Sequence, residues 1–225
     1  MNTRHQTIAV LGGTGAEGSG LALRLAQAGH RVIIGSRSAE KAASAAAELA
    51  AILPGKRLEG TDNRSAAAAA DVVIMTVPYA AQRSTAEEIR PALEGKILVD
   101  ATVPLVPPKV AQVQLPAGGS AVAALQQSLG NSVRVVAAFQ NVSAHHLRDL
   151  QHAVDCDVLV CGEDAEAREV VIALAHDMGL RAWHGGGIAN AAAVEALTSV
   201  LIAINRRYKV AGAGIRITGI EGVPG

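Results

Sequence analysis

The chain has 225 residues, half of them hydrophobic, and its 20 basic and 20 acidic side chains cancel. That length and apolar content support one sizeable domain with a small appendage. Neutral balance without a basic cluster excludes nucleic acid as the main partner, and no uninterrupted apolar run approaches the roughly 18 residues of a membrane span. Met1 to Gln6 leads straight into an apolar stretch, so no signal peptide is expected. Cys156 and Cys161 give neither a disulfide framework nor a zinc-type spacing, and they read as core thiols of a reducing cytoplasm.

The first element is also the most informative. Ile8-Ala9-Val10-Leu11 predicts a buried strand, and it runs into Gly-x-Gly-x-x-Gly at Gly13, Gly15 and Gly18. In a dinucleotide-binding turn, Gly13 makes the bend and Gly15 admits the pyrophosphate. Gly18 lets the next helix pack on the strand. That helix, about 15–28, presents free N–H groups to the anion. Gly29-His30 ends it, and 31–35 is the second strand, completing a βαβ unit.

The tip of the second strand reads Ser36-Arg37-Ser38, without the carboxylate that accepts the ribose 2′-hydroxyl of NAD. Ser36 can donate a hydrogen bond, Arg37 offers a planar charged fork, and Lys41 adds a second cation one turn on. The pattern predicts NADP.

Strands and helices then alternate: helix 39–53, strand 56–60, strand 71–77, helix 80–93, strand 96–99, helix 120–129, strand 133–139, strand 157–161, helix 165–178 and strand 180–183. A glycine break at 185–187, a helix over 188–209 and an extended tail over 211–225 close the chain. Alternation of this kind predicts an α/β fold, a doubly wound parallel sheet of the Rossmann type. The expected division is a dinucleotide-binding domain over 1–185 and a C-terminal helical segment over 186–225. Side chains at the carboxyl ends of the strands face the cofactor in such a sheet, which singles out Thr76-Val77-Pro78-Tyr79 and Asp100-Ala101-Thr102-Val103-Pro104. The proline-bearing loop 101–119 either covers the nicotinamide end or simply crosses the sheet.

The motif set resembles the NADPH-dependent reductases of coenzyme F-420 (F420). It consists of Gly12-Gly13-Thr14-Gly15, the Gly20 to Ala26 helix, Gly35-Ser36-Arg37 with Lys41, Thr76-Val77-Pro78, Val160 to Asp164, Ala193 to Thr198 and Gly214-Ile215. The resemblance covers nearly the whole chain. It implies hydride transfer between NADP and a deazaflavin ring, in a cytoplasmic homodimer with the deazaflavin in a cleft beside the C-terminal segment. Carried over by position, it implies that Thr14, Gly15, Ala16 and Glu17 wrap the pyrophosphate. Ser36, Arg37 and Lys41 then hold the 2′-phosphate, and Val77 and Ala144 lie by the nicotinamide. Archaeal members carry His-Thr where this chain has Gln140-Asn141, next to the deazaflavin, and Gln140 cannot shuttle a proton.

No acid or base is demanded, because hydride passes between stacked rings that the protein orients and shields from water. His145 and His146 read as exposed imidazoles at a helix start, Arg206 and Arg207 as complements to a helix end, and no metal site is expected. Reduction of another acceptor (a flavin, an imine or a ferric complex) and a non-catalytic NADP sensor are the other readings that the residues allow.

Overall fold

A computed structural model describes residues 5–220. The first four residues and the last five of the expected tail lie outside that range.

Along β1 (Thr7–Leu11) every side chain after Thr7 is buried. Ile8 and Val10 point into one core, Ala9 and Leu11 into another. A strand buried on both faces belongs at the centre of a parallel sheet, and there it lies. The eight strands run in the order β3-β2-β1-β4-β5-β6-β7-β8. They comprise β2 (Arg31–Ser36), β3 (Leu58–Asp62), β4 (Val72–Met75), β5 (Ile97–Asp100), β6 (Arg134–Ala137), β7 (Asp157–Gly162) and β8 (Arg181–Gly186). All neighbours are parallel except β6 and β7. The expected doubly wound sheet is present, with one antiparallel pair that the alternation pattern did not announce.

Two helical layers cover the sheet. One core takes in α1 (Ala16–Gln27), α2 (Ala39–Ile52), α6 (Ala144–Arg148) and α7 (Ala165–Asp177). The other takes in α3 (Asn63–Ala69), α4 (Tyr79–Ile89), α5 (Ala121–Leu129) and α8 (Ala191–Tyr208). Leu21 and Leu25, one turn apart, are wholly buried. Burial of each contributes about 1.5–3 kcal/mol. The alanine-rich α2 buries only Ala42, Ala46 and Leu49. Its small residues allow close approach: a Cβ on Gly60 of β3 would stand 2.2 Å from the Ala42 carbonyl oxygen.

Several boundaries differ from the sequence reading for local reasons. Between the expected strands 56–60 and 71–77 lies a further helix, α3, which Asp62 caps by accepting from Ser65 N–H at 2.9 Å. β4 stops at Met75 because the Thr76 N–H and hydroxyl both turn back onto the Leu11 carbonyl at 2.9 Å. Pro91 converts the end of the expected 80–93 helix to a 3-10 turn. β6 ends before Phe139, whose φ is +78°. β8 runs through Gly185 and Gly186, so only Gly187 of the expected glycine break lies beyond the strand.

The stretch Ile188–Tyr208 is long and apolar enough to cross a membrane by length and composition, with mean hydropathy 1.6. Here it packs in part on α5 and the sheet, burying Ala191, Val194 and Leu201. Val200 on its outer side stays exposed.

Candidate active site at the strand ends

The chain leaves β1 at Gly12, and Gly13 lies within the tight turn that Gly15 N–H closes onto the Gly12 carbonyl at 2.9 Å, as the motif predicts. Gly12 carries the positive φ of +78°, which L side chains rarely adopt. It is also the position where a Cβ would sit 3.0 Å from the Thr76 carbonyl. Gly13 also serves packing, because its Cβ would meet the Ile34 side chain and the Val10 oxygen at 2.9 Å. Gly18 behaves as expected: a Cβ there would lie 2.5 Å from the Thr76 hydroxyl, so α1 can sit directly against β4. Thr76 is therefore a brace under the loop, with its hydroxyl already donated to Leu11.

Thr14, Gly15 and Ala16 are exposed above this brace. Gly15 is the N-cap of α1 and has no side chain to satisfy the first N–H groups of the helix. A Cβ on Gly15 would meet only the Gly12 oxygen, at 3.3 Å, so the backbone stands open to an approaching group. Unsatisfied N–H groups, a helix N-terminus and open space make an anion site that fits a pyrophosphate.

At the tip of β2 the Ser36 hydroxyl accepts from Ser38 N–H at 3.3 Å, and Ser38 caps α2 through Lys41 N–H at 3.3 Å. Arg37 and Lys41 are exposed, and neither is in an ion pair among the described residues. Two free cations flank the serine, as a phosphate requires. One carboxylate does stand nearby: Asp62 of β3 is the register partner of Ser36. Both its oxygens are occupied by Ser65, at 2.9 and 2.7 Å, so they cap α3. Those bonds hold its carboxyl below the usual range.

Leu11, Met75, Asp100 and Ala137 form one row across the carboxyl ends of β1, β4, β5 and β6. Asp100 is wholly buried. Its Oδ2 accepts from Gln82 Nε2 at 2.6 Å and its Oδ1 from Thr102 N–H at 2.9 Å. Burial still pushes its carboxyl up to about 6. Glu17, in the first turn of α1, is pushed further, to about 8, by burial first and by Asp100 second. Its Oε1 is covered and has no hydrogen-bond partner. The sequence reading puts Glu17 at the pyrophosphate and Asp100 at a strand end facing the cofactor; the burial of Asp100 and its two donors come from the tertiary structure.

After β6 the chain kinks at Phe139 and delivers Gln140 and Asn141 into the interior. Gln140 Nε2 donates to the Asp100 carbonyl at 2.7 Å, and Thr198 of α8 donates to the Gln140 carbonyl at 2.8 Å. Asn141 Nδ2 donates to the Asp157 carbonyl at 2.7 Å. Both amide groups are thereby fixed in orientation, and both carboxamide oxygens lack a partner. Ala144 opens α6 beside them, half-buried, while Val77 is half-buried and Pro78 is exposed at the start of α4.

The C-terminal segment is strapped across this end of the molecule. Ser143 donates to the Ala211 carbonyl at 3.1 Å, Asn205 accepts from Ala213 N–H at 2.8 Å, and Asp157 N–H donates to the Ile215 carbonyl at 2.8 Å. His145 is exposed; the His146 ring lies 4.1 Å from that of His152, under Gly212. Arg206 and Arg207 are exposed at the end of α8. Cys156 and Cys161 are free and buried, and burial pushes Cys161 up to about 11. No group of three metal-ligating side chains occurs among the described residues. A groove of about 610 Å³ lies apart from the glycine turn, between α4 and α5, lined by Tyr79, Gln82, Arg83, Ala121, Leu125 and Ser128.

The family described as coenzyme F420-dependent NADP oxidoreductase matches residues 7–104, which span the glycine turn, the Ser36–Lys41 tip and Asp100. The F420-dependent NADP reductase of Methanocaldococcus jannaschii is 45% identical over 95% of this chain and 99% of its own length. That of Methanothermobacter thermautotrophicus is 45% identical over 95% of each. The chain belongs to this family. Among solved structures, a putative F420-dependent NADP reductase from Arthrobacter sp. FB24 superimposes with a TM-score of 0.78 at 29% identity, over 95% of this chain and 99% of that one. The family likeness therefore extends beyond the matched N-terminal part to α8 and the tail.

Proposed function

We propose that this protein transfers a hydride between NADP(H) and F420. The observation that carries this reading is full-length relatedness to reductases of that name, on a chain whose glycine turn and free Arg37 and Lys41 fit NADP. When bound, the two rings supply the chemistry; the protein supplies position and dryness.

On this reading Thr14, Gly15, Ala16 and Glu17 surround the pyrophosphate, and Ser36, Arg37 and Lys41 take the 2′-phosphate. The nicotinamide lies over the strand ends by Thr76, Val77, Pro78 and Ala144. Gln140 and Asn141 stand beside the deazaflavin. Their fixed amide groups leave two buried acceptor oxygens, and an unpaired buried acceptor is costly until a ligand or water donates to it. The segment 186–225 closes the cleft, and the exposed outer side of α8 is the contact for a second copy in a cytoplasmic homodimer. Val200 and Tyr208 on that helix are exposed apolar side chains suited to it.

The test is the absorbance of oxidised F420 mixed with purified protein and NADPH. Loss of the deazaflavin band with NADPH, and little with NADH, is expected. Tight NADPH binding without turnover of F420 would redirect the search to a flavin, imine or ferric acceptor, or to a sensor. Failure to bind NADPH would reject the whole reading.

A further inference from the structure

Two acidic side chains come to the strand ends, buried Asp100 at the end of β5 and half-buried Glu17 in the first turn of α1, and neither is in an ion pair among the described residues. Asp100 has donors on both oxygens, Thr102 N–H on Oδ1 and Gln82 Nε2 on Oδ2, so it is built to remain an anion. Glu17 has none on its covered Oε1. The charged group acting on Glu17 is Asp100, and the one acting on Asp100 in turn is Glu195 of α8, which is also acidic. Arg24, further along α1, is spent on backbone carbonyls around α6. Two interacting acids whose surroundings differ in this way divide their protons unequally.

Glu17 also stands where a dinucleotide would bring negative charge. A carboxylate there gains from the helix N-terminus, but its covered Oε1 has no donor, and it would compete with pyrophosphate for the same N–H groups. A carboxylic acid avoids both penalties and brings a donor of its own.

We propose that Glu17 is a neutral carboxylic acid in the free protein, with Asp100 as its anionic partner, and that it donates its O–H to an acceptor oxygen of the bound dinucleotide, so that binding is linked to a proton. This rests on the NADP reading above and adds a positioning residue to it. Burial, which raises the Glu17 carboxyl to about 8, sets the range in which the link shows.

The experiment is NADPH affinity, read by nicotinamide fluorescence, between pH 7 and 9. The 2′-phosphate, with a pKa of about 6, is fully ionised there. For the natural chain, affinity falls about tenfold across this interval as the competent fraction shrinks. For Glu17→Gln, which keeps a neutral side chain at every pH, affinity does not change across the interval, whatever its absolute level. Parallel decline of both proteins, or a flat natural chain, would overturn the proposal. Independently of any ligand, infrared spectra of the natural protein should show a protonated-carboxyl C=O band at pH 7 that is lost by pH 9. Absence of that band at pH 7 would also overturn it. NADPH binding to neither protein at any pH would refute the dinucleotide reading instead, leaving the infrared band to decide the state of Glu17.

Discussion

The carboxylate of Glu195 accepts the Ser120 hydroxyl at 2.6 Å, and with it the N–H groups of Ala121 at 2.8 Å and Val122 at 3.1 Å. One side chain from α8 thus caps α5, and Ser120 completes the cap by accepting from Ala123 N–H at 2.9 Å. A buried acid at a helix N-terminus is held by donors rather than by a cation, which explains how Glu195 can be 1% exposed. Glu195→Ala strands three donors and should cost about 2–4 kcal/mol. Urea unfolding should show a lower midpoint at unchanged slope.

Arg24 performs the corresponding task on the other face. It is 6% exposed, and it donates to the carbonyls of Leu147 at 3.0 Å and of His146, Asp149 and His152 at 2.9 Å. It fixes α6 and the following turn onto α1, where Gly20 leaves room for Leu147. Arg24→Met keeps much of the volume but orphans these carbonyls, and about 3–5 kcal/mol of stability should be lost. Thermal unfolding would measure it.

Gly12→Ala meets two obstacles together, the φ of +78° and the Thr76 carbonyl at 3.0 Å. The strain is about 1–3 kcal/mol. Because relief would move the loop off Thr76, NADPH affinity should fall along with stability. Titration calorimetry and a melting curve on the same sample would show both.

Arg37→Ala should raise the Michaelis constant for NADPH by about 10-fold to 150-fold, the equivalent of about 1.5–3 kcal/mol, and barely change that for NADH. Equal changes for both would place the 2′-phosphate elsewhere.

Glu17 also predicts a pH dependence of stability. Its folded carboxyl is raised from 4.5 to about 8, so between these values the folded protein binds more protons than the unfolded one. Its contribution is intact below about pH 4.5 and is lost as pH rises through about 8. Glu17→Gln should therefore be the more stable protein at pH 9, by about 1–3 kcal/mol, with the difference vanishing towards pH 5. Melting temperatures of both proteins across this range would check the sign.

The sequence by itself determined the βαβ start, the alternation of strands and helices, and a β2 tip at Ser36, Arg37 and Lys41 that carries cations and no acid. These depend on local chemistry: apolar runs, glycines at fixed spacing, and a strand end without an acid. The short helix α3 escaped because its cap, Asp62, precedes a run of plain alanines that carry no periodic signal. Only the tertiary structure decided that Gly12 takes the positive φ, under the Thr76 carbonyl, while Gly13 packs on Ile34. It alone decided that β7 runs antiparallel to β6, a matter of where the chain returns after α6. The cap that Glu195 supplies to α5 likewise joins residues 75 positions apart in sequence. A buried charge is defined by what surrounds it, and no single segment of the chain contains its own surroundings.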